Sequence, residues 1–514
     1  MESLSETTWD VIICGTGLQQ SLLALALSRS DKKILHIDPN EYYGGSEAAF
    51  SLQEAEAWAS EIARAPPSST FTSAAVTKPE EVPDSSVKLS FPRAYALSLS
   101  PQIVHANSKL LSQLVSSRCY RQLEFLAVGS FFIFKTSSEP DGTPTLARIP
   151  STREDVFSST DLSARVKRQL MKFLKLVLSY EDEATLPQWQ EYADRPLADL
   201  LSEKMGLDEG LRTYITTLTL SLDGQISTKD GLATIHRHLT SMGLFGPGFA
   251  AVYPKWGGGS EIAQVGCRAG AVGGGIYMLG TGIKELRGAG TGEEVELELS
   301  EGTVVKTKML FRAPEGVPAS DGTKLPASDG IKVSRLVAIV GSPLTSLFET
   351  TVEGAPTPAV AVIALPPKSV KTSEGIDATY PIYAIAHSSD TGECPPGQSI
   401  LYLSTIHNTD SKSLLEVSVD SQLAALCSEG SSKPQVLYQL YYEQQSTNSV
   451  SLSGDQRIVD FPAPPISLTL EDSGLEPVRE AWIKAMGDQV SEETLAEYMI
   501  FADREGAGDD DEYE

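Results

Sequence analysis

The residues best suited to chemistry in this chain are Gly15-Thr16-Gly17, with Gln20 three positions on and Asp38 following 21 residues after Gly17. A strand ending in Gly-x-Gly turns tightly into a helix whose first N–H groups face a diphosphate, and an acid about 20 residues later reaches a ribose hydroxyl. Close packing of that strand and helix needs a third glycine, and Gln20 stands in its place. The amide either forces the helix outward or swings into the space a cofactor needs. The spacing keeps a dinucleotide scaffold, with Gly15, Gly17 and Asp38 as a vestigial motif, and puts the cofactor chemistry in question. A βαβ unit that binds nothing accounts for the same residues.

The sequence offers no other catalytic constellation. Six histidines (His36, His105, His236, His238, His387, His407) are dispersed, and His236 and His238, two apart in a helical stretch, face different directions. No Gly-x-Ser-x-Gly elbow, His-Glu-x-x-His or P-loop lysine occurs. The five cysteines lack Cys-x-x-Cys spacing, as reduced thiols do, and suggest no metal site. Lys+Arg 41 against Asp+Glu 68 gives a net charge of −27, which opposes binding to nucleic acid and favours basic partners. The acidic start, with no apolar leader, and the absence of an 18-residue apolar run predict a cytoplasmic chain without its own anchor.

The elements that must position these residues follow from periodicity. Strands are expected over 10–14, 33–37 and 131–134, with helical spacing over 101–128. Amphipathic stretches near 162–180, 196–205, 208–220 and 228–242, behind a Ser151-x-x-Glu154 capping pattern, read as an inserted helical domain, 151–241. The α/β parent is then discontinuous, 1–150 and 242–485, with flexible loops at 62–88 and 313–332. The second loop holds a near-duplicate, Val317–Lys324 against Leu325–Lys332, of the kind a surface loop tolerates. Residues 486–514 read as a C-terminal helix and a solvated tail, whose last twelve residues hold seven acids and one arginine. The fold class is α/β (α+β): a multi-sheet, Rossmann-type FAD/NAD(P)-binding-like domain carrying an all-helical insert.

Three glycine- and tyrosine-bearing segments stand out: Asp38-Pro-Asn-Glu-Tyr-Tyr-Gly-Gly45, Trp256-Gly-Gly-Gly-Ser-Glu261 leading to Arg268, and Gly273-Gly-Gly-Ile-Tyr-Met-Leu279. Paired tyrosines suit an interface, and Glu261 and Arg268, seven apart, share a helical face. An ordinary solvated helix with glycine turns reads equally well.

At these residues the chain resembles the Rab escort protein and Rab GDP-dissociation-inhibitor superfamily, over about 8–45, 98–245 and 249–285. The resemblance implies a flavin-enzyme fold without flavin, and a platform of Tyr43, Glu261 and Arg268, flanked by Tyr277 and Met278, that grips GDP-bound Rab. The stretch from Glu154 to Leu174 is similar to the escort-protein segment that docks on the Rab geranylgeranyltransferase alpha/beta heterodimer. It implies a Phe anchor at Phe157 and an Arg at Arg168. A non-catalytic escort would also shield the Rab's geranylgeranyl lipid and deliver it to membranes by transient peripheral association. The apolar faces Leu170-Phe173-Leu174-Val177 and Leu211-Ile215-Leu218 are candidates for the prenyl pocket, and core packing explains the same pattern. The competing readings are a dissociation inhibitor that recycles prenylated Rabs and a flavin-dependent oxidoreductase, which Gln20 opposes.

Overall fold

The computed structural model describes residues 4–66, 69–79, 87–137, 142–150, 163–288, 294–317, 322–326, 330–427, 432–451 and 455–502. Its first sheet forms from the Rossmann-like start of the chain. Ile276–Leu279, Ile34–Asp38, Thr8–Cys14 and Val304–Arg312 run parallel in that order, and Val295–Leu299 and Ile283–Gly288 extend the sheet antiparallel. Val11, Ile12, Ile13 and Cys14 are wholly buried, as strands covered on both faces must be. The first helix, Leu18–Leu27, buries nine of its ten residues. Its last six residues are apolar, and the helix is buried because the first sheet, the helix Gly259–Val272 and the helix Leu475–Met486 enclose it.

The second sheet has ten strands. Along its main path lie Phe71–Thr77, Val436–Gln445, Lys332–Val340, Ser399–Ile406, Ile382–Ser388, Val360–Leu365, Phe125–Lys135, Ala251–Pro254 and Val104–His105. Against its Phe125 side stands a helical layer built from Ala164–Leu178, Glu209–Leu218 and Thr228–Ser241, the first two joined through the short helical segments of 186–204. Each helix starts where a polar side chain accepts a backbone N–H: Ser163 from Val166, Asp208 from Leu211, Ser227 from Asp230. Phe173, Val177, Leu200, Leu201, Ile215, Leu232 and Ile235 form its core.

Four expectations change. Residues 62–88 are not all loop: Phe71–Thr77 is the sheet's edge strand, its Phe71 packed on Trp58. Residues 313–332 include a strand, Gly322–Pro326, because Thr447–Ser451 supplies an antiparallel partner. Over 101–128 the helix is confined to Lys109–Ser116 and a 3-10 turn at Cys119–Gln122, since Val104–His105 and Phe125–Val128 pair with Ala251–Pro254 and strand pairing overrides the local period. The C-terminal helix begins earlier than 486, as Leu475–Met486, and lays Val478 and Trp482 in the core around the first helix. A 3-10 turn, Gly487–Gln489, and the short helix Glu492–Ala496 follow it.

Candidate functional site

The Gly15–Gly17 turn keeps its backbone geometry, Gly15 at φ +103°, but its ligand positions are filled from within. Gln20 is buried, and its Oε1 lies 3.0 Å from where a Cβ on Gly17 would stand. The amide has therefore swung over the helix N-terminus. Glu47, 6% exposed, accepts the Leu18 N–H at 3.2 Å, so a carboxylate of the chain itself caps the N–H group that would face a diphosphate. Burial pushes the Glu47 pKa up to about 7, against the pull of the Ser46 hydroxyl and the Leu18 amide. Asp38 is equally committed. Its Oδ2 accepts from the Thr16 N–H and hydroxyl, both at 2.6 Å, and its Oδ1 from the Asn40 N–H at 2.7 Å and side-chain amide at 3.0 Å. The ribose acid is spent on holding the loop. Glu47 thus stands at the N–H that a diphosphate would take, and both oxygens of Asp38 are engaged by Thr16 and Asn40. Glu47 was not singled out from sequence, although an acid just after Tyr43-Gly44-Gly45 was the available signal.

The neighbouring surface is built on the helix Gly259–Val272. It starts at Gly258, φ +67°, where a Cβ would stand 2.6 Å from the Tyr253 hydroxyl. That hydroxyl donates to Glu393 Oε1 at 2.8 Å, Tyr402 donates to Oε2 at 2.8 Å, and His387 Nδ1 lies 2.6 Å from Oε2. A fully buried polar network thus fixes the helix start. Two turns apart, Glu261 is half-buried and Arg268 exposed, Nη1 of the latter donating to Gln122 Oε1 at 3.4 Å. Burial raises the Glu261 pKa and the Arg268 charge opposes the rise. Tyr43 is half-buried, with burial and the neighbouring Cys267 and Asp38 raising its pKa.

The strand Ile276–Leu279 divides its two candidates. Tyr277 turns toward the helix, its ring 4.7 Å from that of His36 and its hydroxyl over Gly270. Met278 packs on the opposite face, with the cluster of Trp9, Ile12 and Leu35. Tyr43 and Glu261 are half-buried and Arg268 exposed, whereas Tyr277 lies against the helix and half-buried Met278 packs against the core.

In the helical layer, Leu170, Leu174, Leu211, Ile215 and Leu218 line one cleft, together with Ile149, Pro150, Tyr214, His238 and Leu239. Phe173 and Val177 do not line it; they are 1% and 0% exposed in the core behind. The cavity volume is about 30 Å³. His238, which its spacing marks only as a non-ligand, is buried; neither ring nitrogen finds a partner among the described residues, and burial holds its pKa down to about 4. Arg168 is exposed on the helix Ala164–Leu178. Phe157 lies outside the described residues, as does the capping pattern at 151–154.

Comparison with known proteins follows the same lines. A sequence profile described as GDP dissociation inhibitor matches residues 5–428. A Saccharomyces cerevisiae protein named Rab proteins geranylgeranyltransferase component A is 31% identical over 81% of this chain and 64% of its own length. The Candida albicans protein of that name is 29% identical over 79% and 61%. This chain therefore spans less than two thirds of either relative. The crystal structure of a Rab GDI from Plasmodium falciparum superposes with a TM-score of 0.65 at 19% identity, covering 94% of this chain and 99% of that one, which shows a shared fold.

Proposed function

This chain belongs to the GDP dissociation inhibitor family, and we propose that within it the protein is a non-catalytic escort for Rab GTPases. GDP-bound Rab docks on Tyr43, Glu261 and Arg268. Phe157 and Arg168 engage the Rab geranylgeranyltransferase heterodimer, to which the escort presents the Rab's cysteine tail. The cleft around Leu174 and Leu218 then takes the geranylgeranyl chains, and the escort, cytoplasmic and only transiently at membranes, delivers the product. No flavin takes part.

The observation that carries this reading is the cleft, which no charged side chain lines among the described residues, on a chain of net charge −27. Sheltering a prenyl chain is worth roughly 0.8 kcal/mol per buried CH₂, a strong force for occupying such a lining. At about 30 Å³ the closed cleft holds no such chain, so the helices must part to admit one. The nucleotide loop filled by Gln20 and Glu47, and the names of the two fungal relatives, support the same assignment.

The test is a pull-down with Rab-GDP, the transferase heterodimer, and both together. A ternary complex is expected. Phe157→Ala should weaken transferase capture by at least about 2 kcal/mol, the scale of an interface hot spot, with Rab-GDP binding and melting temperature unchanged. A protein that binds prenylated Rab yet never the transferase is instead a dissociation inhibitor.

A further inference from the structure

The cleft in the helical layer has two unlike walls. Leu170, Leu174, Leu211, Ile215 and Leu218 come from the helices Ala164–Leu178 and Glu209–Leu218 and offer only hydrocarbon. Ile149 and His238 belong to the sheet side. The Ile149 N–H donates to the Phe131 carbonyl at 2.7 Å, and the His238 ring meets those of Phe131 and His105 edge-to-face, at centroid distances of 5.3 and 5.7 Å.

His238 is 3% exposed, and neither Nδ1 nor Nε2 has a hydrogen-bond partner among the described residues. The aromatic contacts account for its ring and leave its nitrogens unexplained. A phenylalanine would make the same contacts without desolvating two polar atoms, a cost that buried polar groups normally recover in a hydrogen bond. An imidazole that burial keeps neutral offers one N–H donor and one lone-pair acceptor. A secondary amide carries the matching pair. No charged side chain lines the cleft among the described residues, so a charge on the ligand would be buried without a counter-ion. Lys135, its ammonium 5.6 Å from the centre of the Tyr214 ring, is exposed at the end of the strand Phe125–Lys135, outside that lining.

We propose that His238 is the polar subsite of this cleft: its ring nitrogens hydrogen-bond the neutral amide beside the thioether of a prenylated cysteine, so the cleft selects an isoprenoid with an amide head over one without. The inference rests on the escort reading, which brings a prenyl chain here. The test uses the full chain and equilibrium dialysis of lipids kept monomeric: S-geranylgeranyl-cysteine blocked at both ends as amides, geranylgeranyl methyl thioether, and N-acetyl-S-geranylgeranyl-cysteine as the free acid. The amide should bind about tenfold more tightly than the thioether, the worth of one good hydrogen bond at a desolvated site. It should also bind more tightly than the free acid. His238→Phe keeps the aromatic contacts and should bring the amide-to-thioether ratio toward one. His238→Gln, with a donor and an acceptor of its own, should restore most of it. Melting temperatures report the folding of both variants. Should the phenylalanine variant unfold, the imidazole nitrogen resonances of the wild-type chain decide, since those of His238 should move with the amide and not with the thioether.

Equal affinity for amide and thioether overturns the subsite, as does a preference that survives in His238→Phe. A preference for the free acid overturns it as well and moves the head to Lys135. If none of the lipids binds, the prenyl shelter of the escort reading fails together with the subsite, whereas binding without preference removes His238 alone.

Discussion

At the residue scale two side chains carry opposite lessons. Arg268 is exposed beside half-buried Glu261, so its guanidinium is available for a charged hydrogen bond to a partner. Arg268→Ala should weaken Rab-GDP binding by about 1.5–3 kcal/mol, read by titration calorimetry on a variant with unchanged melting temperature. Glu47 is the reverse, a carboxylate turned inward. Burial raises its pKa from 4.5 to about 7, so between those values the folded state holds the proton more tightly than the unfolded chain. Its contribution is fully present below pH 4.5 and is lost as pH rises toward 7, by about 1.4 kcal/mol for each pH step crossed. Glu47→Gln has no proton to lose, and its neutral oxygen still accepts the Leu18 N–H. Relative to wild type, its melting temperature should therefore climb from pH 5 to pH 8, and a constant difference across that range would refute the assignment. The glycines, Gln20 and Asp38 were legible as a defective dinucleotide motif because they are neighbours in sequence. Glu47 was not, because its role exists only where the loop after Asp38 folds back onto Gly17.

At the element scale, the platform is held by close approach of two helices. A Cβ on Gly266 would stand 2.7 Å from the Ser21 carbonyl oxygen, and one on Gly270 3.2 Å from the Ala24 Cβ. Gly266→Ala should push Gly259–Val272 off the first helix and cost about 1–3 kcal/mol by overpacking, measured by denaturant unfolding. Unchanged stability would mean the helices separate freely. The helices of the 163–241 region were readable because their signals are local: apolar residues at helical spacing near 162–180, 208–220 and 228–242. The short strands Val104–His105 and Phe71–Thr77 were not, because their partners Ala251–Val252 and Val436–Gln445 lie far along the chain.

For the whole molecule, the proposed function assigns protein and lipid to separate surfaces. Under that proposal Rab recognition falls to the helix Gly259–Val272 and prenyl shelter to the helical layer, so one can be damaged without the other. Leu218 is half-buried in the apolar cleft. Leu218→Asp should weaken retention of geranylgeranylated Rab by at least about 1.4 kcal/mol, from burying an unpaired charge, and leave unprenylated Rab-GDP binding unaltered. Equal loss for both Rab forms would remove the cleft from lipid binding. By itself the sequence determined the fold class, the broken nucleotide turn, the shared face of Glu261 and Arg268, and the helical run beyond 163. Each depends on residues within a few turns of one another, where spacing alone sets which side chains meet. Only the tertiary structure decided that Asp38 and Glu47 close the nucleotide loop, that Tyr277 and Met278 part to opposite faces, and that Leu174 and Leu218 line a cleft while Phe173 and Val177 fill the core. Those outcomes depend on which distant segment arrives opposite each residue, and apolar periodicity has the same form whether the facing surface is core or cavity.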